Sequence, residues 1–571
     1  MRPVRPTRPG IPRQFILDQR RELSTCLLFS LPDEYPDGLA VFGCRSGAAS
    51  RRVMPAPELI RAGRIVCDSF LTDYPMLASL QGEAAPRGTM QETELKLELA
   101  QAGASLLLKE NPFACTPTIR RQRSVYYDTQ EWDLSQRGLS LCIRQCGNER
   151  TQIVKSGDGS AAEALTREEW ALPVAEDTPV LDNPQIQAQL AGTADRLAPL
   201  FEVRVKRHRW SITEGDATID VAMDVGKVVA ADREAQLCEI VLERKTGSPT
   251  ALFALTRKLN LITPASIGVL TKADRGYRLI GPARGAVKAS VTPLAADMNA
   301  ATAFARLASA CLKQFRLNEM VLSWSRDTEA LHQARVALRR LRSLFSICKP
   351  LFTDSRFDHL RDELRWLASE LGDARNIDVM IKSTTSEELL RCLQEARSDA
   401  YGAAGAALSS VRARALMIDL AEWISIRDWR SDEAGKALLA QPARQFASRI
   451  LDKLWKKVAK GGSNLIDLDD ETRHEVRITA KKLRYAAEFF GPLYESKQET
   501  KRHKRFIVAM GGLQDHLGSL NDLATAPDML SKLQLSEVAD TEPFSADDKE
   551  KLLHAAAEAH DIFVDTKRFW R

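Results

Sequence analysis

The sequence lacks long apolar runs, paired cysteines and a large share of aromatic residues. Its longest apolar runs, such as Leu106 to Leu108, are far shorter than a membrane span. The ten cysteines are scattered without a CxxC pair, and the nearest two, Cys142 and Cys146, are a poor zinc signal. We therefore expect a cytoplasmic protein with reduced thiols and no membrane segment.

The net charge of +5 is small for 571 residues, so the positions of the basic residues matter more than their sum. Aromatic residues make up 6% of the chain, and no base-reading motif or aromatic stacking pattern accompanies the basic segments. The sequence therefore speaks against a nucleic-acid partner.

Residues 1–89 differ from the rest of the chain. They open on alternating Pro and Arg and continue without a period of 3.6 or 2. Met90 stands two residues before the first patterned segment. We interpret residues 1–89 as a mis-assigned extension with Met90 as the true start; a disordered targeting or linker segment is the alternative.

The remaining chain changes character once. Residues 90–281 contain short alternating runs separated by glycine turns, which predict strands. Residues 282–297 are a Gly- and Pro-containing linker, and residues 298–571 are rich in Ala, Leu, Arg and Glu with helical periodicity. The sequence predicts an α+β multidomain protein, with a β-rich domain before an all-α domain.

The first strand has a charged face and an apolar face. Side chains alternate along a strand, so Glu92, Glu94, Lys96 and Glu98 share one face, and the leucines between them share the other. Carboxylates at i and i+2 are roughly 6.5–7 Å apart, close enough to help hold a hard cation. This pattern favours the wall of a polar tunnel.

Later segments add both acids and bases to the same expected interior. The acids are Asp224, Glu239 and Glu243, and the bases are Arg144, Lys155, Arg207 and Arg275. Bases suit a polyphosphate anion, whereas carboxylates suit Mg²⁺ or Mn²⁺. Together they indicate metal-assisted phosphoryl chemistry. The alternative for any one strand is a solvated face with surface ion pairs.

These residues resemble the CYTH superfamily of triphosphate tunnel metalloenzymes over about residues 90–281. The signature ExExK is matched by Glu92, Glu94 and Lys96. Further matches follow in the family's order: Tyr127-Asp128-Thr129, Leu134, Gly138 to Arg144, Lys155, Arg167, Glu169, Arg207, Trp210, Asp224, Gly226, Glu239 to Glu243, and Lys272 to Tyr277.

The resemblance implies an eight-stranded antiparallel β-tunnel that hydrolyses or transforms triphosphates with Mg²⁺ or Mn²⁺. It implies metal binding by Glu92, Glu94, Asp224, Glu239 and Glu243. The catalytic set would be Glu92, Glu94 and Lys96, and the phosphate-binding set would be Lys96, Arg144, Lys155, Arg207 and Arg275.

Three positions depart from the family pattern. Cys142 replaces the first arginine of LRxR, Val241 replaces the central acid of ExExE, and Ile153 replaces a threonine two residues before Lys155. Each change removes a charge or a donor from the polar face. A non-catalytic polyphosphate-binding or granule-associated protein with a degenerate tunnel is therefore the alternative to an inorganic triphosphatase.

The helical half contains an internal repeat. The segment from His332 to Arg342 recurs from His474 to Arg484. In each copy one histidine and three cations fall within an arc of about 80° on a helix. A stripe of mutually repelling cations is more easily tolerated when a polyanion faces it. Each copy precedes a related segment, Leu371 to Asp378 and Leu517 to Asp522, which predicts two similar bundles related by a pseudo-twofold axis.

The repeat resembles the CHAD domain, a family of helical domains that bind inorganic polyphosphate along a basic cavity. The match covers about residues 298–571. By resemblance, the cavity would be lined by His332, Arg335, Arg339, Arg342, His474, Arg477, Lys481 and Arg484.

We therefore expect a cytoplasmic, metal-dependent inorganic triphosphatase whose helical domain binds long-chain polyphosphate, in association with polyphosphate granules. Its substrate would be tripolyphosphate or another triphosphate. Adenylate cyclase and thiamine-triphosphatase activities would use the same tunnel, and the sequence leaves both open.

Overall fold

The first half of the described chain forms one antiparallel sheet. A computed structural model describes residues 93–113, 115–156, 169–190, 192–282, 285–384, 386–532 and 546–571. Within these residues the strands are β1 Thr93–Leu99, β2 Thr118–Asp128, β3 Leu139–Cys146, β4 Glu149–Ser156, β5 Glu169–Pro173, β6 Ala198–Glu214, β7 Ala217–Ala230, β8 Arg233–Arg244 and β9 Ala265–Ile267. The helices of this half are α1 Gln101–Glu110, α2 Asp133–Gln136, α3 Pro184–Leu190, α4 Thr250–Ile262 and α5 Lys272–Ile280, with a 3₁₀ turn at Ala194–Arg196.

The strand order is β5-β4-β3-β2-β6-β7-β8-β1-β9. The expected antiparallel sheet domain is thus confirmed, with nine strands in the described residues where eight were expected. The extra strand is the three-residue β9, which pairs with the end of β1 through Leu97 and Ile267.

The two faces of the sheet differ as the alternation predicts. Leu95 and Leu97 of β1, Val221 of β7 and Leu242 of β8 are buried in a core shared with helix α4. Residues in register on neighbouring strands share a face, so the charged residues of the same strands are gathered on the opposite side. That side holds the candidate site.

The second half of the described chain is helical, which confirms the expected all-α domain. Its helices are α6 Ala300–Leu322, α7 Thr328–Cys348, α8 Arg356–Glu370, α9 Gly372–Ser383, α10 Glu387–Leu408, α11 Val411–Ile426, α12 Glu433–Ala440, α13 Ala443–Gly461, α14 Asp470–Phe490, α15 Lys497–Lys532 and α16 Ala546–Asp565. Two 3₁₀ turns lie at Lys349–Leu351 and Gly491–Leu493.

The repeated segments occupy matching helices. Both α7 and α14 have 21 residues, and each leads into a 3₁₀ turn. Asp327 caps α7 by accepting from the Ala330 amide, and Asp469 caps α14 by accepting from the Thr472 amide, each at 2.7 Å. Each cap lies five positions before the histidine of its copy, so the sequence repeat extends to the way the helices begin.

The two halves share an apolar core. Helix α11 packs against α4 and β9, and the buried residues of this contact belong to a cluster that also contains α6 and α7. Arg257 on α4 donates to Glu422 on α11 at 2.7 Å, and the Asn318 side chain bonds both the amide and the carbonyl of Val287. Among the helices in the described ranges, none is long and apolar enough to cross a membrane.

Candidate functional site

An acidic row crosses the polar face of the sheet. Glu94 of β1 is in register with Glu243 of β8, which is in register with Asp220 of β7. Directly opposed residues on antiparallel strands have Cβ atoms about 4.5–5.5 Å apart. Asp220 and Glu243 both pair with Lys245, and Arg209 donates to Asp220 at 2.7 Å. The row therefore brings three carboxylates together beside two cations.

A second row lies farther along the same strands. It runs from Glu98 of β1 through Glu239 of β8 and Asp224 of β7 to Arg207 of β6. Arg207 donates to both oxygens of Asp224, at 2.7 and 2.6 Å. Asp224 and Glu239 are fully buried. This second row is a dense ion-pair network.

Helix α5 brings two further cations into the second row. Lys272 pairs with Asp224 at 2.8 Å and also with Glu239, and Arg275 donates to Glu98 at 2.6 Å. Burial raises the pKa of Glu239, but Lys272, Lys96 and Arg275 outweigh it and hold that pKa below its usual range. The pKa of Lys272 is raised because Glu239 and Asp224 outweigh its burial. The second row is therefore charged throughout.

A buried carboxylate fixes the far end of α5. Asp128 is fully buried and accepts from the amides of Thr129, Leu134 and Ser135 at 2.7, 2.8 and 3.0 Å. The Tyr277 hydroxyl donates to the same carboxylate at 2.6 Å. Burial and the Asp128 carboxylate raise the pKa of Tyr277. This anchor explains the Tyr-Asp-Thr and Lys272-to-Tyr277 motifs, which lie far apart in the sequence.

The remaining predicted tunnel residues are distributed along the sheet. Lys96 lies 3.6 Å from Glu94, and Lys155 pairs with Glu169 of β5 at 2.6 Å. Arg144 of β3 faces Thr151 of β4 and Ser124 of β2. Glu92 and Arg167 lie outside the described residues, as does the proposed extension 1–89. The predicted metal set is thus divided: Glu94 and Glu243 are in the first row, whereas Asp224 and Glu239 are in the second.

The carboxylates present fit a hard divalent cation, although the described residues contain no ready-made cluster of three His, Cys, Asp or Glu ligands. One buried oxygen of Glu239 accepts no hydrogen bond within the described part of the chain, and Arg275 Nε is 3.8 Å from it. The first row offers three partly exposed carboxylates whose present partners are flexible side chains. Oxygen donors of this kind are those that Mg²⁺ and Mn²⁺ prefer.

The basic stripes of the helical domain lie side by side. Arg339 of α7 donates to the Tyr485 hydroxyl of α14 at 2.7 Å, and Arg340 pairs with Glu488 at 2.8 Å. The charge of Arg339 also acts on Arg477 and Lys481 of the second copy. The structure therefore brings cations of both repeat copies into one electrostatic group.

Burial and mutual repulsion weaken the proton binding of several of these groups. Burial, followed by Arg339 and Arg375, lowers the pKa of Arg335 to about 10. Burial, followed by Arg477 and Arg339, lowers the pKa of Lys481 to about 8. A bound polyanion would neutralise these charges and thereby stabilise the site. His332, whose pKa is also lowered by burial and then by Arg375, belongs to the same group.

The remaining predicted helical residues have separate surroundings. His474 Nδ1 and Arg477 each bond Asn521 Oδ1 at 2.8 Å. Arg484 donates to Glu488 at 3.0 Å, so its positive charge has a carboxylate partner. Arg342 lies near Arg365, which together with burial lowers the pKa of Arg342.

Several residues of these sites were missed by the sequence prediction. Lys272, Asp220 and Glu98 share the polar face but were left out of the predicted site, as were Arg375 and Asn521 in the helical domain. Arg375 and Asn521 occupy corresponding positions in the two LGxxxx segments, so the sequence did hold that signal. Lys272 belongs to the Lys272-to-Tyr277 motif, but the motif does not indicate its partners Asp224 and Glu239, which depend on how α5 packs.

Comparison with known families identifies both halves. Residues 90–277 match the CYTH domain, and residues 306–531 match the CHAD domain. The chain therefore carries a CYTH domain followed by a CHAD domain.

Individual relatives are similar to parts of the chain. It is 29% identical over 204 residues to an inorganic triphosphatase of Haemophilus influenzae, a match that spans 33% of this chain and 55% of that relative. The crystal structure of the CHAD domain from the plant Ricinus communis is 29% identical, with a TM-score of 0.41, covering 50% of this chain and 98% of that one. A Hippeastrum protein described as having a dominant triphosphatase activity is 19% identical, with a TM-score of 0.26, over 34% of this chain and 98% of its own.

Proposed function

We propose that the CYTH domain hydrolyses inorganic tripolyphosphate, or a related triphosphate, with a divalent metal, and that the CHAD domain binds long-chain inorganic polyphosphate. The observation that carries this proposal is the pair of in-register rows on one polar face, with acids beside cations. The match to the CYTH domain and the similarity to an inorganic triphosphatase support the hydrolytic part. The protein would act in the cytoplasm, where polyphosphate granules would supply both ligands.

Each group on the polar face has a role in this proposal. Lys96, Arg144, Lys155 and Arg207 would neutralise the phosphate oxygens, on which charge is spread in phosphoryl transfer. Arg275, which is paired with Glu98 just as Arg207 is paired with Asp224, would be the fifth phosphate-binding residue. Glu92, Glu94 and Glu243, with Asp220 beside them, would hold Mg²⁺ or Mn²⁺ at the first row, and Asp224 and Glu239 would offer carboxylates at the second row. Such an ion, when bound, neutralises charge and lowers the pKa of water.

Phosphate release tests the hydrolytic proposal. The full chain should release phosphate from tripolyphosphate in the presence of Mg²⁺ or Mn²⁺, and it should be assayed on ATP and long-chain polyphosphate in parallel. The double variant Glu92→Ala/Glu94→Ala should lose this activity. Glu234→Gln is the matched control, since Glu234 is an exposed carboxylate of β8 paired with Lys227. Equal release by wild type and the double variant would refute the proposal.

Retention of long-chain polyphosphate tests the second part. Binding by the full chain should weaken steeply as salt rises, because neutralising a polyanion releases counterions. Neutral substitutions at Arg335, Arg339, Arg477 and Lys481 should abolish retention. A control variant should remove the same charge from exposed positions elsewhere: Lys109, Arg196, Lys288 and Lys436. Retention that is lost equally in both variants would refute the basic cavity.

A non-catalytic polyphosphate-binding protein with a degenerate tunnel is the second candidate. The observation that favours it is an apolar patch on the sheet. Cys142 of β3 and Ile153 of β4 are cross-strand partners in this patch. Val241 is in register with Lys96, so the missing acid of ExExE would have stood beside that lysine. Polyphosphate retention without metal-dependent phosphate release would favour this candidate.

A further inference from the structure

The CHAD domain makes a buried polar contact with the edge of the CYTH sheet. Arg316 of α6 is 5% exposed, and its Nε donates to the carbonyl oxygen of Ile267 at 3.1 Å. The same guanidinium pairs with Glu319 one turn later on α6. Ile267 is the last residue of β9, so one helix of the second domain fixes the end of a strand in the first.

The backbone beyond β9 continues beside β1 at the edge of the sheet. Ile267 is in register with Leu97, and the Gly268 amide donates to the Lys96 carbonyl at 2.8 Å. A Cβ atom at Gly268 would lie 2.9 Å from Lys96 Cγ and 3.3 Å from Glu98 Cγ. There is no room for a side chain there, and any shift of this backbone would move Lys96 and Glu98.

The same segment leads into helix α5. Val269 and Leu270 are buried against Leu317 of α6. Thr271 then caps α5 by accepting from the Asp274 amide at 3.0 Å. Lys272, which pairs with Asp224 and Glu239, is the next residue after this cap. Helix α6 thus holds both ends of a short segment that has Lys96 on one side and Lys272 on the other.

Charges continue across this contact. The Glu319 carboxylate is close enough to repel that of Glu98, which itself pairs with Arg275 of α5. The Arg316–Glu319 pair therefore lies beside the second row of the sheet.

We propose that Arg316 is a positioning residue for the tunnel: through Ile267 it holds the β9–α5 segment so that Lys96 and Lys272 are correctly placed. The CHAD domain would then contribute to hydrolysis without touching the substrate. This inference rests on the proposed triphosphatase function.

Two variants at one position separate this role from general stability. Arg316→Met has no donor, whereas Arg316→Gln places an amide nitrogen where arginine has its Nε and can keep the bond to Ile267. Both variants remove the ion pair with Glu319, so any difference between them does not come from the loss of that pair. Arg257→Met is the control at the same domain interface, because it removes the ion pairs with Glu422 and Asp419 without touching the β9–α5 segment.

The full-length proteins should be compared for kcat and KM on tripolyphosphate with Mg²⁺, for Tm, and for hydrogen exchange of residues 93–99 and 265–272. We expect Arg316→Met to lower kcat by about 10- to 100-fold, as is usual for residues that support a catalytic shell. Its KM should stay near the wild-type value and the two segments should lose protection. Arg316→Gln and Arg257→Met should stay near wild type in kcat and in protection.

Equal behaviour of the Met and Gln variants, or an equal loss of kcat in Arg257→Met, would overturn the inference. If the wild-type protein releases no phosphate, the proposed function fails by itself, and hydrogen exchange still decides whether Arg316 holds the segment. Unchanged protection in Arg316→Met would then refute the positioning role.

Discussion

Cys142 and Ile153 are direct cross-strand partners on β3 and β4. Both face an apolar cluster that contains Phe201 of β6 and Tyr277 of α5. Two departures from the CYTH pattern, separate in the sequence, are therefore one local change. Where the pattern has an arginine and a threonine, this chain has an apolar patch that packs against helix α5.

Restoring the arginine alone should therefore harm the protein. Cys142→Arg buries a cation among apolar groups, and an uncompensated buried charge costs about 3–5 kcal/mol. The free energy of unfolding should fall by that amount, without a gain in phosphate release. Urea unfolding measures the loss, and Cys142→Val, which nearly conserves volume, should cost less than about 1.5 kcal/mol. A stable and more active Cys142→Arg protein would contradict this account.

The Arg207–Asp224 pair should make the sheet domain sensitive to acid. Burial opposes the charge of Asp224, but Lys272 and Arg207 outweigh it and hold the pKa of that carboxyl well below its usual range. Stability from the pair is fully present above the unfolded pKa of about 3.9 and is lost as pH falls through the lower folded value.

Asp224→Asn tests this direction of the pH dependence of stability. The variant should lose about 3–5 kcal/mol near pH 7, because Arg207 then lacks its buried partner and Lys272 keeps only Glu239. Its Tm should also fall less than that of wild type between pH 5 and strongly acidic conditions, as thermal unfolding can show. Asp232→Asn, in the exposed turn between β7 and β8, should follow wild type. A parallel acid response of the two variants would contradict the assignment.

The Tyr277–Asp128 bond should stabilise the fold and also support turnover. Tyr277→Phe removes a hydrogen bond to a charged group, which is usually worth about 1.5–3 kcal/mol. Because α5 carries Lys272, we expect lower kcat on tripolyphosphate as well as lower stability. Tyr401→Phe removes a similar 2.7 Å bond to Asp378 in the CHAD domain and is the matched control. It should lower stability without lowering kcat; equal kcat in both variants would exclude a role for the anchor in turnover.

Polyphosphate retention should weaken on the alkaline side of neutrality. The pKa of Lys481 is lowered to about 8 by burial and then by Arg477 and Arg339, so its positive charge is lost as pH rises through that value. Affinity for long-chain polyphosphate at constant ionic strength should therefore fall between about pH 7 and pH 9. Lys481→Arg should flatten this part of the profile, since an arginine keeps its proton there. A profile identical to that of wild type would show that another group titrates.

The fold was predictable because its determinants are local. Alternation identified the polar face of β1, and the internal repeat with its helical periodicity identified α7 and α14. The division of the acids into two rows was not predictable, because it depends on register between β1, β7 and β8. Register follows from long-range pairing, which a single strand does not encode.

The roles of Lys272 and Arg316 depend on tertiary packing even more strongly. Lys272 lies at the start of a helix whose charged residues look solvent-facing in sequence, and only the packing of α5 on the sheet pairs it with Glu239. Arg316 contacts a backbone carbonyl. Every residue has such a carbonyl, so the sequence does not indicate which one Arg316 contacts.

The apolar core shared by the two halves limits how this protein can change over time. Leu255 and Ala265 of the sheet domain and Leu416 and Leu420 of α11 belong to the same buried cluster. A half taken from a relative would meet a surface shaped for a different partner. A substitution on either side of this contact is therefore constrained by the side chains packed against it from the other half.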